Sequence, residues 1–314
     1  MFFNKVGTPT RLLKVLGLVS LAVLLLAGPP QSILPVSDLF RPGPAERLLV
    51  VAPHPDDETL CCAGVIRRAR EAGAQVAVVW LTSGDAFNLD AELVQRTLRH
   101  TPRNLRALAV MRMQEAHAAA DVLGVPAEGQ FFLCYPDQGL GPLLGAYRNM
   151  PFTSPHTRAS AVWCNGALSP GAAYEGRNLQ RDLEAVIDRF QPTHVLAPSP
   201  LDTHPDHHAA GELVMRVLAG RSATGKLRQW IVHGGFGWPA PRGLHADRML
   251  APPEQAAGVD WEAVPLTSQE RDRKLHAVQS YASQMAISSR FMLAFVRSNE
   301  LFARPPSSAT AAAR

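Results

Sequence analysis

The sequence predicts an α/β fold, a Rossmann-like and mostly parallel sheet with helices on both faces. Two observations predict it. Short unbroken apolar runs rich in Val and Leu recur along the chain, the pattern of strands buried on both faces. Between them lie stretches with helical spacing, two of them closed by Gly73 and Gly124, so strand and helix alternate.

In chain order, Arg47 to Ala52 (RLLVVA) is the first strand, and residues 58 to 72 follow with helical spacing. Gln75 to Leu81 is the second strand, with Thr82-Ser83-Gly84-Asp85 as its loop. A longer helix spans Arg103 to Leu123, and Gln130 to Cys134 is the third strand. Residues 136 to 175, rich in Pro, Gly, Ser and Asn, are too long for an idle connection and are expected on the substrate side. Leu179 to Phe190 reads as a helix, Thr193 to Ala197 as a strand, Pro205 to Ala219 as a helix and Gln229 to His233 as a strand. Two helices, Ser268 to Ser283 and Ser289 to Phe302, close a domain expected over residues 46 to 303. The tail 304 to 314 (RPPSSATAAAR) reads as disordered.

The N-terminus has the pattern of an export segment. Lys5, Arg11 and Lys14 precede Val15 to Gly28, which carries no charge, and Pro-rich residues 31 to 45 form a linker. Residues 1 to 30 are expected to act as a signal peptide or an uncleaved anchor. The body then lies in the periplasm or otherwise outside the cytoplasm, touching membrane only through this segment. These three cations supply most of the formal net charge of +4, so the body is near neutral and no nucleic-acid partner is expected. The four cysteines lack metal spacing; Cys61-Cys62 reads as core packing, and Cys134 with Cys164 is the candidate disulfide in an oxidising compartment.

Ligands in open α/β sheets gather beyond the carboxyl ends of the strands. His54-Pro55-Asp56-Asp57-Glu58 ends the first strand, and Asp202-Thr203-His204-Pro205-Asp206-His207-His208 follows the fourth. Within each cluster polar side chains three positions apart, His54 with Asp57 and His204 with His207, fall on one side of a helix start. Two imidazoles and a carboxylate with one open position make the ligand set of a catalytic zinc site. The plain alternative is helix capping by the acids, but capping never requires histidine.

The quoted motifs resemble the LmbE-like/PIG-L N-acetylglucosaminyl deacetylases. Pro53-His54-Pro55-Asp56-Asp57-Glu58 is similar to their A-H-P-D-D-E signature, with Pro53 in place of Ala, and His204-Pro205-Asp206-His207 is similar to their H-P-D-H signature. Weaker matches are Arg112-x-x-Glu115, Tyr135-Pro136-Asp137-x-Gly139 and Tyr281-x-Ser283-Gln284. The resemblance implies His54, Asp57 and His207 as ligands of one Zn²⁺ or another divalent ion, Asp56 as general base, and His204 as oxyanion stabiliser or acid. It implies Arg112 and Asp137 as holders of sugar hydroxyls. Asp206 is expected to fix the tautomer of His204 and raise its pKa. The implied activity is removal of acetyl from a GlcNAc-type sugar, and the export segment leads us to expect that sugar in an envelope or secreted glycan. The alternatives are a metal-dependent amidase for a non-sugar N-acyl substrate and a non-catalytic glycan-binding module. Oligomeric state is left open.

Overall fold

The computed structural model describes residues 43–86 and 101–305. The export segment, the linker as far as residue 42 and the tail from residue 306 lie outside the described residues.

β1 (Arg47–Ala52) is buried along nearly its whole length because helices cover both of its faces. It leads into α1 (Asp57–Glu71), which returns the chain to β2 (Gln75–Thr82). α2 (Pro102–Leu123) starts on Thr101, whose hydroxyl accepts the Asn104 N–H, and stops at Gly124, left-handed with φ 80°. β3 (Gln130–Tyr135) and the one-turn α3 (Leu140–Leu144) follow. Then come α4 (Gly176–Phe190), β4 (His194–Pro198), α5 (Pro205–Ala219) and β5 (Leu227–Trp230). The chain closes with β6 (Trp261–Pro265), α6 (Ser268–Ser280), α7 (Ala282–Met292) and β7 (Asn299–Ala303).

The sheet order is β3-β2-β1-β4-β5-β7-β6. The first five strands pair in parallel, and β7 runs antiparallel to β5 and β6. The helices pack in two groups, α1, α2 and α6 on one side and α3, α4 and α5 on the other. This is the doubly wound α/β architecture that the alternation predicted. Because β1 lies between β2 and β4, the strand order reverses there, and the carboxyl ends of β1 and β4 open the crevice where such sheets bind ligands.

Three local expectations change. Residues 289–302 do not form one helix: α7 ends at Met292, a 3₁₀ turn spans Leu293–Phe295, and Asn299–Ala303 is a strand. All five residues of β7 are buried, including Glu300, which pairs with Lys274 of α6 at 2.7 Å. The 136–175 segment holds the one-turn α3 and an Ala161–Ala173 bridge, and it contributes Asp137 and Gln138 to the central cavity. Cys134 and Cys164 are free and buried, with Cys134 Sγ directed at Met113 Sδ at 3.8 Å, so the disulfide considered between them is not formed. Cys61 and Cys62, neighbours in buried α1, are disulfide-bonded to each other.

Candidate functional site

A cavity of about 320 Å³ opens at the β1/β4 junction, bounded by His54, Asp56, Asp57, Arg112, Asp137 and His204. Loop and helix placement explains the convergence. His54 lies in the short loop that leaves β1, and its N–H donates to Asp57 Oδ2 at 2.8 Å, which turns the Asp57 carboxylate back toward the strand end. His204 caps α5 with its own ring, Nδ1 accepting the Asp206 N–H at 3.2 Å, and His207 follows one turn later.

Three donor atoms meet at one point. His54 Nδ1 lies 3.2 Å from His207 Nε2, His54 Nδ1 lies 3.3 Å from Asp57 Oδ2, and His207 Nε2 lies 3.2 Å from Asp57 Oδ2. Ligand atoms about 2.0–2.2 Å from a tetrahedral ion sit about 3.3–3.6 Å from one another, so this triangle matches one face of such a site. Two lone pairs and a carboxylate so close repel unless positive charge lies between them. The protonation equilibria agree. Burial alone would lower His207, but the Asp202 and Asp57 carboxylates push it up to about 10. Burial opposes protonation of His54 too, yet Asp137, Asp206 and Asp57 raise it well above the ordinary imidazole value. Burial would raise Asp57, and His207 and His54 instead hold it well below the carboxylate range. Other groupings of three, His54 with His204 and His207, Asp57 with His207 and His233, or His54 with Asp137 and Asp206, also lie close. In those groupings the ligand atoms lie within 4.8 Å of one another, against 3.2–3.3 Å on all three sides of the triangle.

Asp56 stands beside this triangle with φ 115° and makes no side-chain cap to α1, so helix capping does not explain it. A non-glycine residue at positive φ stores backbone strain, which concentrates at functional sites. Burial raises its pKa well above the usual range, the Arg112 guanidinium opposes the rise, and Asp57 adds to it.

Arg112 and Asp137 reach the cavity but face protein partners. Arg112 donates to Gly84 O at 3.0 Å, to Pro55 O at 2.9 Å and to Asp56 Oδ2 at 3.3 Å, locking the β1 and β2 loops together. Asp137 Oδ1 lies 3.2 Å from His54 Nε2, and its Oδ2 accepts the Ala86 N–H at 3.1 Å. Beside the role expected of both, holding sugar hydroxyls, these contacts brace the site from the protein side. The Asp206 carboxylate likewise does not hydrogen-bond to His204. It accepts the Gln138 and Leu140 N–H groups at 2.6 and 3.0 Å and lies 3.4 Å from His54 Nε2. His204 is lowered to about 4, by burial first and then by His54 and His207, which outweigh the upward push that Asp206 exerts as expected.

Several participants escaped the sequence reading. His233, taken for an ordinary histidine, lines the cavity 4.7 Å from the His207 ring and stacks on Phe291 at 5.8 Å. Leu60, Val232, Phe291 and Met292 give the cavity an apolar side. The late Tyr281-x-Ser283-Gln284 motif is legible once folded. The Tyr281 hydroxyl donates to buried Glu58 at 2.5 Å, Ser283 donates to Glu115 through both its N–H and its hydroxyl at 2.7 Å, and Gln284 is thereby presented to the cavity.

The family model described as GlcNAc-PI de-N-acetylase, PIG-L, matches residues 49–218, more than half of the chain. The chain belongs to the PIG-L family. Among curated members, the 1D-myo-inositol 2-acetamido-2-deoxy-alpha-D-glucopyranoside deacetylase of Nakamurella multipartita is 32% identical over 179 residues, 55% of this chain and 54% of that protein. The diacetylchitobiose deacetylase of Thermococcus kodakarensis is 24% identical over 177 residues, 55% of this chain and 49% of that protein. The chain thus spans about half the length of the curated relatives it matches. A solved antimicrobial pseudoaglycone deacetylase superposes with a TM-score of 0.55 at 20% identity, covering 83% of this chain and 99% of that one. The zinc-inhibited form of a teicoplanin deacetylase gives 0.52 at 19% identity, over 82% and 97%. At these identities the structural likeness is one of fold.

Proposed function

We propose that this PIG-L family chain is a zinc-dependent N-deacetylase that hydrolyses the acetamide of a GlcNAc-type sugar to amine and acetate. The observation that carries the reading is the closed triangle of His54, Asp57 and His207 with Asp56 beside it. The two imidazoles and one carboxylate would hold the ion. When bound, it supplies Lewis acidity and brings the pKa of a water ligand to about 7.

The chain's own groups do the rest. Asp56 takes the proton of the attacking water. Because burial raises its pKa, it can keep that proton and pass it to the leaving nitrogen, so water, acyl group and amine balance with no further acid. His204 is neutral near pH 7, since burial and the nearby imidazoles hold it at about 4. Its Nδ1 accepts a backbone N–H, which leaves the proton on Nε2 as a hydrogen-bond donor for the developing oxyanion. Arg112 keeps Asp56 in place. The apolar side formed by Leu60, Phe291 and Met292 suits the acetyl methyl, and it would equally receive the acyl chain of a non-sugar amide, the second reading.

The near-neutral body suits an uncharged glycan, and the N-terminal pattern supports export toward envelope or secreted glycans. Among the described residues no helix is long and apolar enough to cross a membrane. Acetate release from N-acetylated chito-oligosaccharides, lost on chelation and restored by Zn²⁺, is the expected result. Release confined to non-sugar amides would replace the substrate assignment, and full activity in chelator would end the metal reading.

A further inference from the structure

Both imidazoles of the triangle are held from behind by carboxylates. His207 Nδ1 lies 3.1 Å from Asp202 Oδ2, and both side chains are fully buried. Asp202 is itself fixed. Its Oδ2 also accepts the Val232 and His233 N–H groups at 2.9 and 3.0 Å, and its Oδ1 accepts the His204 N–H at 2.9 Å. On the opposite side His54 Nε2 lies 3.2 Å from Asp137 Oδ1, while Asp137 Oδ2 takes the Ala86 N–H at 3.1 Å and the Asp137 N–H donates to Asp85 Oδ1 at 2.9 Å. Asp206 is 3.4 Å from the same His54 nitrogen, but its two oxygens already receive two backbone N–H groups.

An ionised carboxylate only accepts hydrogen bonds. The nitrogen facing it must therefore carry the proton, which puts the lone pair on the other ring nitrogen. For His207 that nitrogen is Nε2, and for His54 it is Nδ1, the two atoms that meet Asp57 Oδ2 in the triangle. The two rings thus need opposite tautomers, and each has a buried carboxylate placed to impose it.

We propose that Asp137 and Asp202 are positioning residues that set the metal affinity of the site by fixing His54 as the Nε2–H tautomer and His207 as the Nδ1–H tautomer. The inference rests on the metal reading given above, and it assigns to Asp137 a task other than sugar contact. Asp202 has a second consequence. The same oxygen that orients His207 holds the Val232 and His233 backbone, so one carboxylate ties the metal face to the apolar wall of the cavity.

The test is zinc affinity, measured on the full chain by competition with a chromophoric chelator. Asp202→Asn and Asp137→Asn are each expected to weaken Zn²⁺ binding by about 10–100-fold, the range known for such outer carboxylates. A folded variant that binds zinc within about twofold of the parent overturns the proposal while leaving the metal reading intact. A parent chain that binds no zinc overturns both. A second measurement needs no variant: long-range ¹H–¹⁵N spectra of the zinc-loaded parent should show His54 protonated at Nε2 and His207 at Nδ1. The reverse tautomer at either ring overturns the proposal.

Discussion

Asp85 offers a pH-dependent stability that a single substitution should remove. The residue is buried with Oδ1 accepting the Asp137 N–H at 2.9 Å, and its Oδ2 has no hydrogen-bond partner among the described residues. Burial, then the neighbouring Asp137 carboxylate, raises its pKa to about 7. The sign follows from proton binding. Between about pH 4, where the unfolded carboxyl titrates, and about pH 7, the folded state holds a proton that the unfolded chain has lost. Stability therefore declines as pH rises through that window and levels off above it, where both states are ionised. A carboxyl displaced this far forfeits about 4 kcal/mol by pH 8. Asp85→Asn keeps the oxygen that receives the Asp137 N–H and never ionises. Urea unfolding of parent and variant from about pH 4.5 to 8 should show the variant gaining on the parent by roughly 3–4 kcal/mol across the range. A difference that moves by less than about 1 kcal/mol would show that Asp85 is not held protonated in the fold.

Other consequences are checked more briefly. Lys274→Met strands Glu300, whose remaining partners are the Gly64 and Val65 N–H groups at 2.9 and 3.0 Å, and should cost about 3–5 kcal/mol in chemical denaturation. Replacing both partners, as Lys274→Met with Glu300→Gln, should recover part of that loss; no recovery would refute the charge argument. Gly64→Ala places a methyl 2.4 Å from Leu266 Cδ2 and should lower stability by about 1–3 kcal/mol unless Leu266 swings aside, which a melting curve reads directly. Asp56→Asn should reduce deacetylation by about 10²–10⁴-fold with zinc affinity kept, whereas loss of zinc would make Asp56 a ligand rather than the base.

The strands and helices that wrap the sheet were legible because burial on both faces and helical spacing leave strong local patterns. β6 and β7 were not. Asn299-Glu-Leu-Phe-Ala has no alternation to betray a strand, since Glu300 is taken inward by Lys274 instead of facing water. At the site, the triangle could be read from two short motifs, each carrying its residues within one turn. Arg112 and Asp137 were recognisable as site residues, but the braces they form to the protein were not, because those partners lie far away in sequence. Asp202 and His233 were hidden for the same reason: what they do depends on the β5 loop folding back against the start of α5.

The reversal of strand order between β1 and β4 has a bearing on how the molecule is made. His54 and His207, which face each other across 3.2 Å, are separated by 153 positions in the chain. No fragment ending before α5 can own the site, however much of the sheet it has built. Closing so long a loop carries an entropic cost that a bridging ion offsets in the native state. On the metal reading, zinc is then a staple between the two halves of the sheet, and its capture by a nascent chain reports that the halves have docked.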